Sequence, residues 1–253
     1  MAQQPVNSEC STNISQHTNT KKDAKSKTKS LIRNSAWFVS FNELPSEHDL
    51  DLSYYQECGY GEYRPSRHWC LIGEIIEDIS FMRPRCTVRD MHGTKFGVHF
   101  YLDNTERFDS KTLQKGSLFC LRYCSQHFFM DGQIGIRVED TDPWQVIPKL
   151  SLSKLLSISD TGCLMDYYQA NVLNMREHVV LNNTCWHKGC DKAGTGGRAL
   201  QKCGGCKMAR YCCKEHQVED WKSKHSFECK HWFPKITKLF AINLNRFHRF
   251  QSF

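Results

Sequence analysis

Seven of the 14 cysteines lie between Cys185 and Cys229, and His187, His216 and His225 share that stretch. Eight of these side chains form four close pairs: Cys185 with Cys190, Cys203 with Cys206, Cys212 with His216, and His225 with Cys229. Thiolate and neutral imidazole are the usual ligands of a tetrahedral structural Zn²⁺, and four complete one ion, so four pairs imply two zinc ions. In Cys203-Gly204-Gly205-Cys206 the glycines suit a tight knuckle whose backbone N–H groups reach thiolate sulfur without Cβ hindrance. Cys212/His216 and His225/Cys229 are spaced i, i+4, which predicts one face of a helical turn for each pair. Leu200, Met208 and Val218 are nearly all the large aliphatic side chains this stretch offers. So small a unit buries too little apolar surface alone, and metal supplies the missing stability.

The pattern resembles the MYND-type zinc finger beyond its ligands. Tyr211-Cys212-Cys213-Lys214-Glu215-His216-Gln217, then Asp220-Trp221, His225 and Cys229, is similar to that family's signature over about residues 185–229. The resemblance implies a cross-braced, α-rich fold in which the first and third pairs share one ion and the second and fourth share the other. Zinc one is then held by Cys185, Cys190, Cys212 and His216, and zinc two by Cys203, Cys206, His225 and Cys229. The first pair is spaced more widely than the family's usual pair, which keeps His187 and Cys213 as alternative ligands. With every coordination position filled, the expected ions are structural, and zinc hydrolysis or deamination is not expected.

Gln217 and Trp221 are also i, i+4, on one face of a helix expected over Lys214 to Lys224. In the family the matching positions help form a shallow groove for short proline-containing peptides. A Trp floor with an amide donor suits such segments, which dock on aromatic surfaces at low entropic cost. The competing expectation is that Trp221 packs the small core and Gln217 is solvated.

Upstream, between about residues 35 and 148, short apolar runs with period two replace helical spacing. Strands are expected over Trp69–Ile79, Arg85–Asp90, Thr94–Leu102, Leu118–Tyr123 and around Ile134–Val138, with a turn at Met91-His92-Gly93. Phe96, Val98, Phe100 and Leu102 fall on one face, and Lys95, Gly97, His99 and Tyr101 on the other. Five strands with a short helical segment at Asp109–Lys115 between the third and fourth match the order of an OB-type barrel. Two short helices, Leu150–Ile158 and Met165–Val179, are expected either to cap the barrel or to lead into the finger. The expected class is therefore α+β: a disordered basic tail (1–34), an all-β OB-like barrel (35–148), a helical connector (149–180), a two-zinc finger (181–232) and a basic-aromatic C-terminal tail (233–253).

The formal charge of +7 is unevenly spread. Residues 1–34 hold six basic and two acidic residues, residues 35–179 hold 14 and 20, and residues 180–253 hold 14 and 5. The Lys21–Lys29 run is read as a solvated tail, and Phe233 to Phe253 interleaves aromatics with Arg246, His248 and Arg249. These basic segments and an OB-like barrel support an alternative function, single-stranded nucleic-acid binding, but the acidic excess of the barrel opposes it. No enzyme motif appears: there is no Walker loop, Gly-x-Ser-x-Gly elbow or Asn-His dipeptide of the SET methyltransferases that MYND fingers sometimes accompany. Met1–Thr20 is polar and no apolar run approaches a membrane span, so a soluble intracellular protein, nuclear or cytoplasmic, is expected. The expected function is a protein-interaction adaptor, with transcriptional regulation as one setting. Its cofactors would be two Zn²⁺ and its partners proteins with short proline-containing motifs.

Overall fold

The computed structural model describes residues 30–103, 110–139, 142–175, 181, 183–194, 200–242 and 244. The Lys21–Lys29 run and the Arg246–Phe250 segment lie outside the described residues.

The β region is built around β4 (Cys70–Asp78), whose nine residues are the longest strand described. Preceding it are β1 (Phe38–Val39), β2 (Tyr55–Gly59) and β3 (Glu62–Pro65); β5 (Arg85–Asp90), β6 (Lys95–Tyr101), β7 (Leu118–Arg122), β8 (His127–Phe128), β9 (Ile134–Glu139) and β10 (Trp144–Ile147) follow. β4, β5 and β6 form an antiparallel meander, β9 runs parallel to β6, and β7 returns antiparallel to β4. A short 3₁₀ turn at Ser110–Leu113 stands between the third and fourth of these five strands. This is the OB-like order, and the hydrogen-bonded path ends at β10 on one side and β8 on the other. Sharp coiling brings β4 so close to β5 that a Cβ on Gly73 would lie 2.3 Å from Val88 Cγ1 and 2.9 Å from the Arg89 carbonyl. Glycine alone fits there.

Alternation predicts the faces of β6: Phe96, Val98 and Phe100 are buried, whereas Lys95, Gly97, His99 and Tyr101 face outward. The β5–β6 turn is held by the buried Asp90, whose Oδ1 accepts from the backbone of His92 and Thr94. Trp69 fills one end of the barrel and donates from Nε1 to the Cys124 carbonyl at 2.9 Å. Tyr54, Tyr55 and Tyr123 pack edge-on around it.

β4 is buried on both faces. Leu71 and Ile75 belong to the barrel interior, whereas Cys70 and Ile72, with Leu118 and Cys120 of β7, belong to a second core outside it. That second core is roofed by α1 (Leu152–Asp160), α2 (Cys163–Asn171) and the C-terminal third of the chain. Ser151 caps α1 by accepting from Lys154 N, and Glu74 of β4 accepts from Leu152 N at 2.9 Å, which anchors the helix to the sheet.

Two expected boundaries are corrected. Leu31 and Ile32, within the segment expected to be disordered to residue 34, are fully buried in the second core. Ser159 Oγ accepts from Ser30 Oγ and from Ile32 N, and Arg33 forms a bidentate pair with Asp160. The segment from residue 233, for which the sequence leaves a packed or a frayed tail open, is packed as far as it is described. Lys214 to Leu239 is one helical run containing α3 (Lys214–Asp220), two π-helical turns (Trp221–His225 and Glu228–Trp232) and α4 (Phe233–Leu239), and Phe233, Ile236, Leu239 and Phe240 are buried. Phe233 and Phe240, the aromatic residues of this segment that are described, are core. No helix among the described residues is long and apolar enough to cross a membrane.

Candidate metal centre and adjoining surfaces

The structure brings the four pairs into two groups. Cys185, Cys190, Cys212 and His216 offer ligand atoms all within 4.8 Å of one another, as do Cys203, Cys206, His225 and Cys229. The first pair thus meets the third and the second meets the fourth, a cross-brace. Tetrahedral bonds of about 2.3 Å to sulfur put two sulfurs about 3.8 Å apart. Cys190 and Cys212 sulfurs are 3.8 Å apart, and Cys203 and Cys229 sulfurs 3.9 Å. His216 turns Nδ1 to its group, 3.2 Å from Cys212 and 3.7 Å from Cys185, whereas His225 turns Nε2 to Cys206 at 3.7 Å. These separations are edges of a tetrahedron that a Zn²⁺ would fit.

Local backbone sets each ligand. β11 (Gln201–Lys202) and β12 (Arg210–Tyr211) form a small hairpin that presents the Cys203–Cys206 knuckle, closed by a hydrogen bond from Lys207 N to the Cys203 carbonyl. A Cβ on Gly205 would lie 2.8 Å from Cys229 Sγ, so the knuckle and the last ligand meet only because that residue is glycine. Burial works against a thiolate at Cys203, but the backbone N–H groups of Cys206 and Gly205, together with His225, bring its pKa down to about 7. By contrast, burial pushes Cys70, Cys86 and Cys163 up to about 12 and marks them as inert core thiols.

The expected helical pairing of Cys212 with His216 is corrected: α3 starts at Lys214 with Cys213 as its N-cap, so Cys212 ends the hairpin and only His216 is helical. His225 and Cys229 lie on the π-helical turns, whose wider spacing sets their direction. His187 and Cys213 stay outside both groups. The His187 ring stacks on His216 at 4.2 Å and its Nε2 contacts Glu219 at 2.8 Å, and Cys213 sulfur lies 3.9 Å from Cys212 sulfur.

Two non-ligand positions of the signature have a role that spacing does not show. Tyr211 Oη donates to Asp220 Oδ2 at 2.8 Å in the buried interior, tying the hairpin to α3. Gln217 and Trp221 are both half-buried. The Trp221 ring packs against His225 with centroids 5.9 Å apart, and Lys230 Nζ lies 5.9 Å from the ring. The indole therefore packs against a candidate ligand residue and the outer core while keeping part of its surface exposed.

A second surface lies on the far side of the barrel, outside β5, β6 and β9. Register places Arg85, His99 and Arg137 in one row across the three strands. Tyr101 has the guanidinium groups of Arg83 and Arg137 at 3.8 and 4.4 Å from its ring centroid. His99 stacks on Phe129 at 4.1 Å, and burial followed by the neighbouring Arg85 lowers its pKa, which favours the neutral ring. Phe81 and Met82 in the β4–β5 loop and Met130 in the β8–β9 turn are almost fully exposed. This face is aromatic and carries Arg83, Arg85 and Arg137, the last paired with Glu139 at 2.8 Å.

Residues 188–229 match the family model of the MYND finger. Cys185 precedes the matched segment, and the fold supplies it. Egl nine homolog 1 of Mus musculus is 55% identical over 31 residues, 12% of this chain and 8% of that protein. An F-box protein of Arabidopsis thaliana is 36% identical over 66 residues, 26% of this chain and 19% of that protein. The chain thus spans under a fifth of the length of these curated relatives. Among solved structures, Schizosaccharomyces pombe Pot1pC bound to ssDNA has a TM-score of 0.28 at 6% identity, covering 44% of this chain and 98% of its own. A Replication Protein A heterotrimer bound to ssDNA has 0.25 at 8% identity, covering 46% and 87%. The strand order and register, rather than these likenesses, carry the OB-like assignment.

Proposed function

We propose that this chain is a zinc-dependent, intracellular interaction adaptor whose finger captures short proline-containing peptide segments, with no catalytic step of its own. In this reading Cys185, Cys190, Cys212 and His216 hold one Zn²⁺, and Cys203, Cys206, His225 and Cys229 hold the other. Both ions are closed and structural, supplying fold stability rather than a reactive water. The observation that carries the reading is that Trp221 and Gln217, four residues apart on one helical run, both keep part of their side chains exposed while the indole packs against His225. A flat aromatic floor with an adjacent amide matches a proline ring and a backbone carbonyl. Transcriptional regulation, in the nucleus or the cytoplasm, is the setting we infer for such capture.

The test is peptide titration with the full chain. Trp221→Ala is expected to cost roughly 2 kcal/mol or more of binding free energy while metal analysis still returns two zinc per chain. Zinc lost together with binding would mean that Trp221 serves only as core.

The barrel face favours a second reading, single-stranded nucleic acid. Stacked His99–Phe129 and guanidinium-flanked Tyr101 would offer planar surfaces to bases and cations to phosphates. Anisotropy with a labelled oligonucleotide should then show affinity falling with salt, and Arg85→Glu or Arg137→Glu should weaken binding and flatten the salt slope by about one. Affinity equal in wild type and both variants would overturn that reading.

A further inference from the structure

The second ligand group is completed from outside the finger. His225 is fully buried, and its Nδ1, the nitrogen turned away from Cys206, has no hydrogen-bond partner in its surroundings. The group facing that nitrogen is Glu228, whose Oε2 stands 3.9 Å away. Glu228 is itself buried, a costly place for a carboxylate without a countercharge. Its countercharge is Lys154 Nζ, 2.9 Å from Oε1, and Lys154 belongs to α1 in the connector. One buried carboxylate thus stands between two groups: Lys154 of the connector pairs with one oxygen at 2.9 Å, and the outer nitrogen of His225 faces the other at 3.9 Å, beyond hydrogen-bond length. A histidine that binds metal through Nε2 carries its proton on Nδ1, and a carboxylate that closes to hydrogen-bond length on that proton fixes the tautomer and raises the basicity of the ligating nitrogen.

α1 is held in turn by the barrel, through Glu74 at its first turn and through the packing of Leu155 and Ile158 in the core shared with β4 and β7. The first ligand group has a different neighbour: His216 turns Nδ1 to its group and is stacked on His187. The two groups therefore differ in what lies behind their histidines, although each offers three thiolates and one imidazole.

We propose that Lys154 and Glu228 are positioning residues for the second zinc, so that the affinity of one ion in the finger is set by a residue of the connector helix while the other ion is independent of it. This rests on the two-zinc reading above.

The experiment uses the full chain. Competition against a chromophoric chelator should resolve two zinc affinities in the wild type. Lys154→Met and Glu228→Gln should each weaken one of them by about 10–100-fold and leave the other unchanged. The double variant should be no weaker than Glu228→Gln alone, because the lysine acts through the carboxylate. Lys154→Arg should restore the affinity. Loading with ¹¹³Cd gives a readout that bulk destabilisation does not move. One of two resonances should shift in Lys154→Met and in Glu228→Gln, and it should be the resonance that disappears in Cys206→Ser. Both affinities unchanged, or both falling together, would overturn the proposal and reduce the pair to a docking salt bridge. A wild-type chain binding fewer than two metals would instead overturn the two-zinc reading itself.

Discussion

Gly205 and Tyr211 show how differently single residues can be read. The knuckle glycines are visible in sequence as permissive residues, but only the fold shows that it is Gly205, with Cys229 sulfur 2.8 Å from where its Cβ would stand, that cannot change; Gly204 has open space. Gly205→Ala is expected to destabilise the finger by about 1–3 kcal/mol through forced displacement of Cys229, and Gly204→Ala to be nearly neutral. Paired thermal melts of the two variants, with zinc content, check this. The eight candidate ligands were legible because chemistry restricts them to two residue types at short spacings. The Tyr211–Asp220 hydrogen bond was not, since neither residue type nor a separation of nine positions marks a partner. His187 and Cys213 stood as alternatives for the same reason: spacing admits them, and only side-chain direction separates them from the two groups.

Elements were legible where one period dominates. β5, β6, β7 and β9 lie close to the strands expected from alternation, because each has one buried and one exposed face or a short apolar run. The β2–β3 hairpin escaped that logic: nearly all of it is exposed, so hydrophobic alternation leaves no trace of it. The same limit acts at residues 30–34. Two apolar residues after a long polar stretch look like noise, yet Leu31 and Ile32 pack beside α1, held by the Ser159 hydroxyl. Ile32→Ala should therefore cost about 2–5 kcal/mol, as a large-to-small change in a packed core does. Denaturant midpoints of this variant against one lacking residues 1–29 separate the packed segment from the chain before it. An unchanged midpoint in Ile32→Ala would place the segment outside the cooperative fold.

At the scale of the whole molecule, β4 and β7 separate two cores of different character. The barrel interior is closed by its own aromatic and aliphatic side chains, with Cys86 among them. The outer core joins Phe38, Ile72 and Leu118 of the sheet region to Cys163 and Leu164 of the connector and to the ligand residues Cys185, Cys203, Cys206 and Cys229. Further ties cross the same boundary: Asp166 of α2 pairs with buried Arg210, Trp232 Nε1 donates to the Pro148 carbonyl, and Leu244 N donates to Tyr168 Oη. The six cysteines of the two candidate metal groups thus belong to or pack against the outer core, and none of them belongs to the inner one. Acidification should release zinc, because protons compete for the six thiolates and two imidazoles that binding requires, so stability gained from metal is lost as pH falls. Chelation at neutral pH should loosen the outer core first. Cys163 and Cys70, whose burial holds them near 12, should resist iodoacetamide in the zinc-loaded protein and become labelled after chelation, while Cys86, on the inner face of β5, stays protected. Mass-spectrometric mapping of the alkylated residues reads this directly. Equal labelling of Cys86 and Cys163 would mean that the barrel interior depends on metal as well, making the chain a single cooperative unit; protection of all three would mean that the roof of helices holds without its zinc.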